Sequence, residues 1–152
     1  SADLLLKSLD EIENGTAVLV PQDESLVTKC KMLKKVQAVI DFNTPAQNIV
    51  NFVRGMAEWP VAYTHYNGVM LKIYKAKSHT LQDFMALSNL SLDEVSNMKN
   101  GQVALVSTKK GIFVKCDNSV LELVELQLEG GKKMSAKDFA NGKKLAEGVI
   151  LN

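Results

Sequence analysis

Residues 102–129 read QVALVSTKKGIFVKCDNSVLELVELQLE. Three apolar runs rich in β-branched residues, QVALVST, GIFVKC and SVLELVELQLE, are separated by Lys109-Lys110 and by Asp117-Asn118. Strands recurring at intervals of about ten residues with tight turns between them predict a small antiparallel barrel or sandwich. Upstream, VAYTHY (61–66) and VMLKIYKAK (69–77) flank Asn67-Gly68. That dipeptide accepts positive φ at both central positions of a type I′ turn, so the segment predicts a hairpin. Downstream, GGKKMSAKDFANG (130–142) turns the long strand at Gly130-Gly131 and then starts a short helix. Ser135 is the expected N-cap, Asp138 at N3 completes a capping-box variant, and Gly142 ends the helix. In a five-stranded barrel such a helix can plug an open end with Met134 and Phe139.

The remaining elements are read from caps and periodicity. ADLLLKSLDEIENG (2–15) is helical, with Leu5, Leu9 and Ile12 on one stripe and Gly15 at the C′ position. TAVLVPQDES (16–25) runs extended into Pro21 as a linker. LVTKCKMLKKVQAVIDFN (26–43) mixes lysines with apolar residues and ends in the strand-like AVIDF. Thr44 as N-cap and Pro45 at N1 start a second helix, whose inner face is Ile49, Val50, Phe52, Val53 and Met56, and Pro60 stops it. Residues 79–101 read as an inserted loop, in which SLDEVSNM opens with a capping-box pattern and can form one or two helical turns.

Composition bounds the function classes. The 152 residues carry a net charge of +1, which conceals an asymmetry. In residues 1–24 Lys7 stands against Asp3, Asp10, Glu11, Glu13, Asp23 and Glu24, a net of −5, and the remainder carries +6. A basic body suits a polyanion, though lysines also solubilise surfaces. No apolar run approaches the roughly 20 residues needed to cross a bilayer, and the start is acidic, so no membrane role and a cytoplasmic location are expected. Cys30 and Cys116 form no CxxC or zinc pattern and read as buried free thiols, and His65 and His79 belong to no metal motif. Glu122 and Glu125 differ in parity, so a regular strand would send them to opposite faces. Trp59, between a helix and a proline, reads as a core plug, with base stacking a candidate role for it and for Phe42. Tyr63 and Tyr66 read as cross-strand packing.

GGKKMSAKDFANG resembles the closing motif of methionyl-tRNA formyltransferases, a Gly-Lys-Lys run followed by Met-Ser-Ala and an Asp-Phe pair, with Gly131 standing at the first lysine. NGTAVLVPQDES (14–25), LKKVQAVIDFNTPA (33–46), VRGMAEWPVAYT (53–64) and GVMLKIYKA (68–76) are similar, in order, to further segments of that family. The resemblance covers almost the whole chain and implies an OB-like, mainly β fold: an antiparallel barrel of five to six strands with short helices. It implies that residues 1–24 are the last helix and linker of a catalytic domain not included, and that 25–152 are the carboxy-terminal barrel. The family's co-substrate is 10-formyltetrahydrofolate and its partner initiator methionyl-tRNA. The catalytic Asn, His and Asp and the Ser-Leu-Leu-Pro motif are not among these residues, so neither cofactor nor metal is expected here, and the parent enzyme is expected to be monomeric.

A barrel that holds folded RNA without reading its sequence needs cations at phosphate spacing. Lys34, Lys35, Lys132 and Lys133 are the leading candidates, from two places distant in the chain. Lys72, Lys137 and Arg54 follow, with Lys143 and Lys144. Solvated surface lysine is the competing reading for each. Two other functions stay open: the accessory barrel of a sugar N-formyltransferase or 10-formyltetrahydrofolate dehydrogenase, and a stand-alone interaction module.

Overall fold

Asn67 and Gly68 have φ of 50° and 77°, the pair of left-handed conformations that a type I′ turn requires. In the computed structural model, which describes residues 2–142 and 145–152, this turn folds β1 (Tyr63–Tyr66) onto β2 (Val69–Thr80). The predicted strands of 102–129 form β3 (Val103–Ser107), β4 (Gly111–Cys116) and β5 (Ser119–Leu128). The sheet runs β1-β2-β5-β4-β3, antiparallel throughout. A two-residue strand, β6 (Met134–Ser135), pairs with β5 beyond the stretch that β4 occupies. The expected mainly β, barrel-like architecture is present with six strands.

The edge strands β1 and β3 do not pair with each other. Residues 148–152 hydrogen-bond to both. Val103 N donates to Val149 O, Gly148 N to Val103 O and Leu151 N to Gly101 O, each at 2.8 Å. On the other side His65 N donates to Asn152 O at 2.7 Å and Asn152 N to His65 O at 3.2 Å. Gly101 is what lets this segment approach: its φ is +83°, and a Cβ there would lie 2.6 Å from the Leu151 carbonyl oxygen.

The main core lies on one face of the sheet, built from alternate residues such as Leu71, Ile73, Leu121, Leu123 and Leu126. Helix α2 (Ala46–Gly55) covers one part of it with Ile49 and Val53, and α5 (Ala136–Asn141) inserts Phe139, 2 % exposed, as the sequence suggested. Burying one such aromatic contributes about 3 kcal/mol. Met134 packs partly buried against the same core. The α5 cap is as predicted: Asp138 N donates to Ser135 Oγ at 3.1 Å. A second, smaller core of Phe84, Val95, Ala104, Phe113 and Val120 lies on the opposite face of the sheet. It is roofed by α3 (Leu81–Ser88) and α4 (Leu92–Ser96).

Residues Ser1–Met32 and Leu33–Asn152 are two separate units. In the first, α1 (Ala2–Glu13) ends at Gly15, φ +66°, and Leu5, Leu9 and Ile12 are 51–65 % exposed.

Several expectations change. The loop expected at 79–101 contains two helices, because Thr80 caps α3 by accepting from Asp83 N while Phe84 anchors it. The capping box of α4, Ser91 with Glu94, is as read. AVIDF forms a single bridge, Val39 to Tyr63, rather than a strand. Helix α2 stops at Gly55, ahead of Pro60. Thr44 does not cap it: its hydroxyl donates to Asp41 O, and the cap is Ser119, whose Oγ accepts from Ala46 N at 2.7 Å. Cys30 is exposed. Cys116 is buried as expected, and burial pushes its thiol pKa up to about 12.

Two substitutions test this frame. Gly101→Ala is expected to lower stability by about 2 kcal/mol, from left-handed strain and displacement of residues 148–152. Ser119→Ala is expected to cost about 1 kcal/mol through the lost cap. Urea unfolding measures both, and a stability equal to that of the parent would contradict the stated contact.

Candidate nucleic-acid interface

The face of β1-β2-β5 opposite the main core carries a groove of about 480 Å³. Cross-strand register builds its floor. Tyr63 on β1 lies opposite Lys72 on β2, and Lys72 lies opposite Gln127 on β5. Tyr74 follows two residues along β2, so it shares the face with Lys72. Its hydroxyl donates to Gln127 Oε1 at 2.7 Å, and Gln127 Nε2 donates to Gly131 O at 2.9 Å. Two side chains are thereby tied to the Gly130-Gly131 turn, and Gly130 itself reaches the groove.

Two loops wall the floor. One is the 3₁₀ turn Lys35–Ala38, whose first residue lines the groove. Gln37 Oε1 accepts from Lys34 N at 2.8 Å, Ala38 is fully buried, and Ile40 N donates to Tyr63 O at 2.8 Å. The Ile40 bond and the Val39–Tyr63 bridge pin the end of the turn to β1. The other wall is Glu58-Trp59-Pro60-Val61, with a cis Trp59-Pro60 bond. Trp59 is 57 % exposed, so the core role expected for it is wrong, whereas Phe42 is buried.

Lys35 and Lys72 therefore line one groove although 37 positions separate them. Lys133 joins them at its border: its Nζ lies 4.4 Å from the Tyr74 ring centroid and 2.7 Å from Glu125 Oε2. Lys75 reaches the same carboxylate at 3.9 Å. The bond from Lys133 holds the Glu125 carboxyl below its ordinary pKa. Lys34 and Lys132 are exposed neighbours of Lys35 and Lys133. Arg54 on α2 and Lys137 on α5 are exposed but do not line the groove. Lys143 and Lys144 lie outside the described residues. Two carboxylates, Glu58 and Glu129, also line the groove, so its charge is mixed. Tyr74 and Gln127 were missed in the sequence. Their signal was the alternation that puts Lys72 and Tyr74 on one face.

Glu122 and Glu125 do not part to opposite faces. The β2–β5 register shifts on both sides of the Lys75–Glu125 pair, and inward residues change from Leu121 and Leu123 to Leu126. Both carboxylates thus leave the main core on its outer side. Glu122 meets His79 Nε2 at 2.8 Å beside the second core, and Glu125 meets the lysines. Among the described residues no three His, Cys, Asp or Glu side chains converge as metal ligands, and no helix is long and apolar enough to cross a membrane.

The family described as "Formyl transferase, C-terminal domain" matches residues 32–144. A methionyl-tRNA formyltransferase of Lachnospira eligens is 37 % identical over 150 residues, covering 99 % of this chain and 45 % of that protein. Those of Geobacter metallireducens and Dictyoglomus thermophilum are 37 % and 38 % identical, covering 99 % and 95 % of this chain and 43 % of each protein. The chain thus spans less than half the length of these relatives. HypX from Aquifex aeolicus, in a multiply substituted variant, shares the fold with a TM-score of 0.62 at 15 % identity, over 95 % of this chain and 24 % of that one.

The Glu125 cluster predicts a pH dependence. A carboxyl whose pKa is depressed on folding stabilises the protein above its unfolded value of 4.5, and that increment is lost as pH falls through the lower folded value. In Glu125→Gln this part of the acid-side loss of Tm is expected to vanish, as thermal melts between pH 2.5 and 6 would measure. The family match over residues 32–144 makes the assignment: the chain belongs to the formyl transferase C-terminal domain family.

Proposed function

We propose that this chain is the carboxy-terminal, tRNA-holding part of a methionyl-tRNA formyltransferase. In this reading, formyl transfer from 10-formyltetrahydrofolate to initiator methionyl-tRNA is performed by a catalytic domain that the relatives supply outside the matched segment. Residues 1–24 belong with that domain and 25–152 form the barrel. The enzyme works as a monomer in the cytoplasm. The barrel needs neither cofactor nor metal, because its task is to hold phosphate.

One observation supports the holding role most directly: Lys35 and Lys72 line the same groove, with Lys133 at its border. Ammonium groups on one face release condensed counterions together when they meet an RNA backbone, and that gain is independent of base sequence. Lys34 and Lys132 extend the cationic rim. Arg54 and Lys137 belong to the proposal only as peripheral charges that assist approach.

Binding of initiator tRNA to this chain is expected to weaken steeply with salt. Replacing Lys35 and Lys72 together by alanine is expected to lower the slope of log K against log salt by about two, one per lost phosphate contact. Fluorescence anisotropy of labelled tRNA at several salt concentrations measures it. A slope equal to the parent's would remove the groove from the interface.

A further inference from the structure

The groove holds more than phosphate binding requires. A purely electrostatic surface has no use for an exposed indole, nor for carboxylates that repel phosphate. Trp59 and the pair Glu58 and Glu129 nevertheless line the groove together with Lys35 and Lys72. The three groove aromatics are not equivalent. The Tyr74 face is taken by the Lys133 ammonium, 4.4 Å from its centroid. Tyr63 lies edge-on to His65, with centroids 5.5 Å apart at 89°. Trp59, among the described residues, has neither a ring nor an ammonium partner and is 57 % exposed.

We propose that the groove takes an unpaired nucleotide of the RNA, its base stacked on Trp59 and its flanking phosphates on Lys35 and Lys72. The inference rests on the tRNA-holding reading and deepens it. A base in a duplex offers no free π face to an indole, so stacking selects a single-stranded position. The carboxylates then have a function. Glu58 and Glu129 accept hydrogen bonds from an exocyclic amino group, as acidic side chains do from the amino group of cytosine. Uracil lacks that group: where cytosine has its amino group it carries a carbonyl oxygen, and its single donor, N3–H, is flanked by two carbonyls. The groove therefore favours an amino-bearing base. Its volume of about 480 Å³ accommodates one nucleoside with room for solvent.

Trp59 is the sole tryptophan of the chain, so its fluorescence reports on this site alone. The full chain is titrated with hexacytidylate RNA, with hexauridylate RNA, and with a blunt-ended RNA duplex of two fully complementary strands. Hexacytidylate is expected to quench Trp59 and to bind several-fold more tightly than hexauridylate, and the duplex to leave the fluorescence unchanged. Anisotropy of labelled hexacytidylate is expected to show Trp59→Ala weakened about ten-fold, within the range for loss of one stacked base, at unchanged salt slope. Trp59→Phe retains a stacking face and is expected to recover most of the affinity, which separates stacking from a folding defect. Equal binding of the two hexamers, or parental affinity in Trp59→Ala, overturns the inference. If tRNA binding still loses salt slope in the Lys35, Lys72 variant, the tRNA-holding reading survives that failure. If the slope is also unchanged, both fall.

Discussion

The pairing of β2 with β5 is the constraint on which the other parts depend. These are the two longest strands, of 12 and 10 residues, and they run side by side from Leu71–Leu128 to Thr80–Ser119. A regular ladder of that length would present one uninterrupted face to the core and one to solvent. The register shifts around Lys75–Glu125 break it in the middle. A bulge adds twist and changes which residues point inward, so the sheet bends around its contents instead of running flat. On β5 the inward set passes from Leu121 and Leu123 to Leu126, and one core cluster receives all three.

The same break divides the outer face in two. Towards Ser119, Val120 and the neighbouring Phe113 are covered by α3 and α4, which makes that half structural. Towards Leu128, no helix among the described residues roofs Lys72, Tyr74 and Gln127, and the loops at Lys35 and Trp59 make that half a groove. Glu125, Lys75 and Lys133 sit at the division. Ion pairs between partly exposed side chains add little net stability, so the cluster is a weak stabiliser. Its consequence is positional: it fixes the Lys133 ammonium over the Tyr74 ring, which in turn is tied through Gln127 to the Gly131 carbonyl.

Features carried by local chemistry were legible in the sequence. Asn67-Gly68 could be read as a turn because its conformational demand is met by those two residues alone. Ser135 with Asp138 and Ser91 with Glu94 were visible as caps for the same reason. What was illegible depends on partners remote in the chain. Ser119 caps a helix that starts 73 positions earlier, and no pattern around Thr44 announces it. The bulge at Val124-Glu125 carries no glycine or proline, so strand parity misdirected Glu122 and Glu125. Helix α3 begins where β2 stops, with only Thr80 and Asp83 as punctuation. Trp59 looked like a core residue because apolar area usually means burial. Its exposure is set by the tertiary course of the Glu58–Val61 loop. At the candidate site, the lysine pairs at 34–35 and 132–133 drew attention through their charge, whereas Tyr74 and Gln127 gave no signal apart from alternation.

Charge pairing ranks the candidate cations more sharply than their number does. For Lys133 to engage a phosphate it must loosen its 2.7 Å contact with Glu125, exchanging one anion for another at little net gain. Lys35 and Lys72 have no carboxylate within ion-pair distance among the described residues, so a phosphate would displace only water and counterions from them. The lysine with the best-defined position is therefore the least available, and the two groove lysines are the more available ones. Lys133 acts through geometry instead, covering one face of Tyr74 and leaving the indole of Trp59 as the open aromatic surface beside the free cations. A surface that combines one open ring, two unpaired ammonium groups and two carboxylates matches a nucleotide's stacking face, phosphates and amino edge, and a bare polyanion would leave the ring and the carboxylates unused.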